Sequence, residues 1–246
     1  MKIIVNGAAG HMGKVLLSMI EAGTRGAELA AAVDAFAPGQ GILGSLDAFE
    51  GTADCIVDFS HHSATKVLTD YAVTHRIPLV IATTGQTAEE QAMIEAASAS
   101  IPVFASGNMS MGIALLTELA KTTARMFPDA DIEIVEAHHN RKIDVPSGTA
   151  LMLANACREA RPDSHFNIGR HENGRREKSE IGIHSLRMGN TVGIHEVIVN
   201  TGSQVITLKH EAQDRSLFAE GALAAADFIL NKAPGLYSVQ DIVSEA

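Results

Sequence analysis

The sequence has no tryptophan, and aromatic residues make up only 4% of its 246 positions. Its core must therefore be built from Ala, Ile, Leu, Val and Met. Cysteine is nearly missing: Cys55 opens the apolar run CIVDFS, Cys157 lies inside a helical pattern, and the two form no CxxC pair. That excludes a disulfide framework and a cysteine-based zinc site, and it fits a reducing compartment. No apolar run approaches the roughly 20 residues of a membrane span. The start, MKIIVNGAAGHMG, turns glycine-rich too early for a signal-peptide core, so a cytoplasmic location is expected. Positive charge is also in deficit, with 19 Lys and Arg against 29 Asp and Glu and a formal charge of -10. Such a chain repels nucleic-acid phosphates and anionic membranes, which are excluded as partners. A small anionic ligand would need a local cationic patch.

What is present is the balance of a folded chain, 46% hydrophobic and 20% charged. The length suits one large or two modest domains. Over the first hundred residues, short β-rich runs (KIIVN, ELAAAVD, CIVDFS, IPLVIATT, IPVFAS) alternate with helical stretches. This rhythm predicts βαβ units and a doubly wound, Rossmann-type parallel sheet covered on both faces. After Asn108 the pattern changes to a long helix, MGIALLTELAKTTARMF, the strand DIEIVEAHH, a charged turn and the helix SGTALMLANACREA. Residues 161–180 read as an exposed polar loop. Three alternating runs follow, IGIHSLRMG, TVGIHEVIVN and QVITLKHEA, spaced by Gly-Asn and Thr-Gly-Ser turns that join antiparallel strands. The second domain is thus expected to be α+β with a mostly antiparallel or mixed sheet. The last helix, SLFAEGALAAADFILN, has no partner strand after it in this reading and should return to the first domain. The expected boundaries are 1–108 plus 214–246 for a dinucleotide-binding domain and 109–213 for a substrate-binding and oligomerisation domain, with a cleft between them.

GAAGHMG follows the first strand and opens the first helix, the context in which a glycine pattern counts as a dinucleotide fingerprint. Gly7 permits the tight turn, Gly10 the approach of a pyrophosphate, and Gly13 close helix packing; Ala9 stands where the commoner pattern has its second glycine. Free N–H groups and the helix dipole would then favour phosphates. Asp34 ends the second strand, where a carboxylate can accept hydrogen bonds from a ribose diol. With Asp34 there and Ala35 rather than arginine next, NADH is expected over NADPH. ATTG (82–85) and SGNMS (106–110) lie at carboxyl ends of later strands and could flank a nicotinamide ring. Each of these features also has a plainer reading as a helix cap, a surface aspartate or a small-residue turn.

The densest chemistry is EAHHNRKIDVPSGTA, residues 136–150. Adjacent strand residues point to opposite faces, so His138 and His139 can share a ligand only if the strand has ended. Arg141 and Lys142 oppose a cation, which makes metal a poor reading, and no metal is expected. Ser147 fits an N-cap, and the N–H groups of Gly148 and Thr149 form an anion seat beside a histidine that titrates near neutrality. The plainer alternative is a solvated charged loop with a capped helix.

Taken together, GAAGHMG, Asp34, ATTG, SGNMSMG and above all EAHHNRKIDVPSGTA resemble the 4-hydroxy-tetrahydrodipicolinate (dihydrodipicolinate) reductase family over nearly the whole chain. The resemblance implies reduction of a cyclic dicarboxylic imine, or its hydroxylated precursor, by NADH or NADPH in the diaminopimelate–lysine route. It makes His138 a proton donor/acceptor and Lys142 the group that protonates the substrate. It gives the substrate carboxylates to His139, Gly148 and Thr149. It gives the dinucleotide to Gly7, Ala8, Ala9, Gly10, His11, Met12 and Asp34, and its nicotinamide end to Ala82, Thr83, Thr84, Ser106, Gly107, Asn108 and Met109. Members of the family often carry arginine in place of His11 or Ala35. The resemblance also implies a homotetramer assembled through the second domain's sheet. Two other readings remain: a nicotinamide dehydrogenase of another small dicarboxylate or sugar acid, and a non-catalytic NADH-sensing module. The sensor would need a basic partner-binding surface that this acidic chain does not offer.

Overall fold

The computed structural model describes residues 1–245. In chain order the first elements are β1 (Lys2–Asn6), α1 (His11–Glu21), β2 (Glu28–Val33), β3 (Ile42–Leu43), β4 (Cys55–Asp58), α2 (Thr65–His75), β5 (Leu79–Ile81), α3 (Ala88–Ser98), β6 (Pro102–Ala105) and α4 (Met111–Met126). They are followed by β7 (Asp131–His138), α5 (Gly148–Ala160), β8 (His165–Ile168), β9 (Glu180–Arg187), β10 (Gly193–Asn200), β11 (Val205–Ala212), α6 (Ser216–Ile229), β12 (Gly235–Tyr237) and α7 (Val239–Glu245). The chain divides into two compact units, Met1–Met111 with the segment from Arg215 on, and Gly112–Asp214.

The first unit holds a seven-stranded sheet in the order β12-β6-β5-β4-β1-β2-β3, with every pair parallel. Its strands read as unbroken apolar runs because both faces are covered. Ile4, Ile56, Leu79 and Val103 face α2 and α3 together with Leu68, Tyr71 and Ile94. On the other side, α6 packs on α1 and against β4, β5 and β6. That close packing follows from the small residues of α6: Ala222, Ala225 and Ala226 are fully buried, and a Cβ on Gly221 would lie 1.8 Å from the Met109 carbonyl oxygen. The chain order turns back between β1 and β4, so a crevice opens at the carboxyl ends of these two strands. Contrary to the sequence reading, α6 is followed by a strand, β12, which extends the sheet beside β6. Three residues, Gly-Leu-Tyr, are too short to show a period.

The second unit holds a mixed five-stranded sheet, β11-β10-β7-β9-β8. The β10 strand runs antiparallel to β7 and β11, whereas β9 runs parallel to β7 and β8. The turn-based expectation that β9 and β10 are hairpin neighbours is therefore corrected: β7 lies between them. A Gly-Asn turn marks a reversal, but it does not distinguish a hairpin from a connection that steps over one strand. The step is held at the strand end, where the Met188 N–H donates to the His138 carbonyl and the Asn140 N–H to the Gly189 carbonyl. The polar segment 161–180 is also corrected, since it contains the edge strand β8. HFNI has too few apolar residues to signal a strand, and its pairing with β9 supplies what its sequence lacks.

One face of this sheet forms the core with α4 and α5, through Ile132, Ile134, Ile181, Ile183, Val197 and Val199 against Leu116, Ala120, Leu153 and Cys157. Along β7 the same face carries Ile132, Ile134, Glu136 and His138, so it turns from hydrocarbon to ionisable groups over its last two positions. Replacing the fully buried Ile134 with alanine should cost about 2–5 kcal/mol, whereas Leu29→Ala, about half exposed on β2, should cost well under half of that. Urea unfolding followed by circular dichroism measures both.

Candidate active site

In the first unit, the turn after β1 is compact. Gly7 has φ +80°, and a Cβ there would lie 2.6 Å from the Phe59 backbone. A Cβ on Gly13 would lie 2.1 Å from the Gly7 carbonyl oxygen. The N–H groups of Gly7 and Ala8 donate to the Val33 carbonyl, and that of Gly10 to Gly7. The donors left for an anion are those of the first turn of α1, whose cap, Gly10, has no side chain to bond them and whose first residues, His11, Met12 and Gly13, include no acid. Asp34 is nearly buried and faces this turn. One carboxylate oxygen accepts the Ala9 N–H at 3.0 Å, and the other accepts those of Phe36 and Ala37 at 3.0 and 3.1 Å. Asp34, Gly7, Ala9 and Gly10 share a cavity of about 330 Å³ with Phe36 and His61. His11 is exposed and Met12 half-buried at the mouth of the helix.

Ala82, Thr83 and Thr84 directly follow β5, and Ser106, Gly107, Asn108 and Met109 follow β6. Thr83, Thr84, Ser106 and Gly107 line one cavity of about 230 Å³. Met109 is buried. The Ser106 hydroxyl donates to the Asn108 carbonyl at 2.9 Å, and the Asn108 side chain accepts the Ser110 N–H at 2.9 Å. Sequence reasoning missed the group beneath this loop. Asp58, at the end of β4, accepts hydrogen bonds from Asn6 (2.8 Å), Ser60 (2.6 Å) and Thr83 (2.7 Å). Burial pushes its carboxyl above the ordinary range, against the pull of those donors. The clue was an acid placed at the end of an otherwise apolar run, CIVDFS.

In the second unit, β7 ends at His138, so His139 lies beyond the strand and the alternation rule no longer separates the pair. His138 Nδ1 lies 2.5 Å from Glu136 Oε2. Glu136 is fully buried and receives Arg187 through both guanidinium ends, at 2.8 and 2.9 Å. Its second oxygen also accepts the Ser147 N–H at 3.2 Å. Burial by itself would raise this carboxyl, but the polar groups around it, Arg187 first and then the Ser185 hydroxyl, His138 and the Ser147 N–H, outweigh it and bring it down to about 2. Ser147 caps α5 as its sequence position indicated, accepting the Ala150 N–H at 3.2 Å. Gly148 is exposed and Thr149 half-buried at the helix start. Lys142 is half-buried, 2.9 Å from Asp144. The ring of His195 meets that of His138 edge-on at 5.1 Å, and its Nε2 lies 3.3 Å from the Ser147 hydroxyl. Burial, followed by the neighbouring His138, holds His195 down at about 4, so it is neutral at pH 7. Among the described residues, no group of three or more His, Cys, Asp or Glu side chains is arranged to hold a metal ion.

Sequence reasoning missed three of these partners. Glu136 was within reach of it, two positions before His138 and hence on the same strand face. Arg187 and His195 come from β9 and β10, and only the register that sets Arg187 beside His138 and His195 beside Glu136 brings them in.

A parallel doubly wound sheet, an open glycine turn at its first helix and an acid at the end of the second strand define a nicotinamide-dependent oxidoreductase, and the geometry of the turn fits that cofactor. The family models described as "Dihydrodipicolinate reductase, N-terminus" and "Dihydrodipicolinate reductase, C-terminus" match residues 1–109 and 112–243. The chain belongs to the dihydrodipicolinate reductase family. A 4-hydroxy-tetrahydrodipicolinate reductase of Caldanaerobacter subterraneus subsp. tengcongensis is 42% identical over 99% of this chain and 98% of its own. One from Brachyspira hyodysenteriae is 38% identical over 99% and 100%. A dipicolinate-bound dihydrodipicolinate reductase from Paenisporosarcina sp. TG-14 has the same fold, with a TM-score of 0.79 at 21% identity, covering 98% of this chain and 99% of that one.

Because the Glu136 carboxyl is depressed, its contribution to stability is complete above its ordinary value of 4.5 and is lost as pH falls toward 2. Acid unfolding should therefore steepen across that window, and Glu136→Gln should flatten the curve there while lowering stability at pH 7. A variant with unchanged acid sensitivity contradicts the assignment.

Proposed function

We propose that this chain reduces 4-hydroxy-tetrahydrodipicolinate to tetrahydrodipicolinate in the diaminopimelate route to lysine, with NADH preferred over NADPH and in the cytoplasm. The observation that carries the reading is the second unit's combination of a buried histidine, a lysine and a capped helix start within one stretch, residues 136–150. The bound nicotinamide supplies the hydride. Gly7 to Met12 hold the pyrophosphate through the start of α1, Asp34 holds the ribose, and residues 82–84 and 106–109 hold the nicotinamide end. Asp34 Oδ1 and Oδ2 already accept three N–H groups, so the carboxylate is fixed in place and its charge opposes a 2′-phosphate.

Gly148, Thr149 and His139 hold the substrate carboxylates, the first two with N–H groups at the helix start. Loss of the 4-hydroxyl as water gives a conjugated C=N–C=C system, and hydride addition at its terminal carbon shifts the electron pair toward nitrogen, where the negative charge must be quenched by a proton. Lys142 donates the proton there, and His138 serves as proton donor or acceptor beside it.

The other face of the second unit's sheet carries exposed Leu186 and Val205 beside the half-buried Ile194 and Ile198. A homotetramer assembled through this face would cover them. Light scattering coupled to gel filtration should give a four-chain mass, and a monomer at micromolar concentration would remove that part of the proposal.

His138→Gln and Lys142→Ala should each lower kcat by roughly 10²- to 10⁴-fold with NADH affinity nearly unchanged. A matching loss of NADH binding contradicts these roles. Asp34→Ala combined with Ala35→Arg should shift the ratio of catalytic efficiencies toward NADPH, and a constant ratio would remove Asp34 from the ribose site. The competing reading, a dehydrogenase of another dicarboxylate, predicts faster NADH oxidation with that compound than with 4-hydroxy-tetrahydrodipicolinate.

A further inference from the structure

The buried carboxylate of Glu136 has no place in the roles above, yet it touches both halves of the proposed substrate site. One oxygen meets His138 Nδ1 at 2.5 Å, and the other takes the Ser147 N–H at 3.2 Å, one residue before the helix start that Gly148 begins. Arg187 closes on it with two hydrogen bonds and spends a third on the Asp144 carbonyl at 2.6 Å, beside Lys142. An ionised acid in a fully buried position persists only when paired and fully bonded, and this one has four donors. The far side of the His138 ring is kept open by Gly193: a Cβ there would stand 3.2 Å from His138 Nε2.

We infer that Glu136, clamped by Arg187, is a positioning residue that fixes His138 with its proton on Nδ1 and its Nε2 presented toward Gly193, and that ties this orientation to the start of α5 through Ser147. The inference rests on the proposed role of His138 and deepens it. A neutral imidazole that donates from Nδ1 must accept at Nε2, so the pairing decides which nitrogen is the base. A histidine left without this partner distributes its proton over both nitrogens and rotates about χ2, and only part of the population then has a lone pair at the reactive position.

The test uses the full-length protein labelled with ¹⁵N in its 11 histidines, with the His138 signals assigned by their loss in His138→Gln. Wild-type His138 should show the Nδ1–H tautomer when neutral. In the double variant Glu136→Met/Arg187→Met, which removes both buried charges together and so avoids leaving either unpaired, that preference should disappear and kcat should fall roughly 10- to 100-fold, with NADH affinity retained. The isosteric Glu136→Gln provides a second measurement, and its kcat should fall more than its KM rises. An unchanged tautomer in the double variant, an Nε2–H tautomer in the wild type, or an unchanged kcat in both variants overturns the inference. If His138→Gln itself leaves turnover intact, the catalytic reading fails, while the tautomer measurement still decides whether Glu136 orients the ring.

Discussion

The second unit is organised around a carboxylate that has no access to water. Glu136 sits where the hydrocarbon core of the sheet ends, and burying its charge is tolerable only because Arg187, His138 and the Ser147 N–H all bond to it. Each partner belongs to a different element: Arg187 to β9, His138 to the end of β7, and Ser147 to the cap of α5. Satisfying one charge thereby fixes three pieces of backbone. Leaving any of these donors out would cost the desolvation of the rest, which is why the register of the strands and the position of the helix start are locked to the same point.

The first unit solves a similar problem with less charge. Its strands are apolar until their carboxyl ends, where Asn6 and Asp58 face each other in register across β1 and β4, the pair between which the chain order reverses. Glycines at 7 and 13 let helix α1 begin almost in contact with the turn, and the donors of its first turn stay unspent. The two units thus offer complementary chemistry. One presents unbonded helix donors and the carboxylate of Asp34, the groups proposed to hold the dinucleotide, and the other presents cations, imidazoles and a capped helix start, the groups proposed to hold a small carboxylate. An acidic protein overall can bind anions because the favourable groups are local and fixed, and short-range hydrogen bonds to them outweigh a screened net charge.

The sequence was most legible where the signal was local. Alternating strands and helices specified the parallel sheet, GAAGHMG specified the turn, and Ser147 showed itself as a cap from the residues around it. Strand order in the second unit was not legible, because a Gly-Asn turn is the same whether the next strand pairs beside the last or steps across β7. The short strands β8 and β12 were missed for a related reason: their stability comes from the neighbours they pair with, β9 and β6, and their own residues carry no period. In the site, the residues of 136–150 stood out as a cluster. Arg187 and His195, which control Glu136 and flank His138, are separated from that stretch along the chain and meet it only through pairing across the sheet.

The most direct test of this account is a crystal structure with pyridine-2,6-dicarboxylate, a planar ring carrying the two acid groups expected of the substrate. The account predicts a carboxylate within hydrogen-bonding distance, roughly 2.7–3.2 Å, of the Gly148 and Thr149 N–H groups, with Lys142 turned toward the ring. Density for the ring at another place on the chain, such as the arginine-rich segment around Arg170 and Arg175, would contradict it.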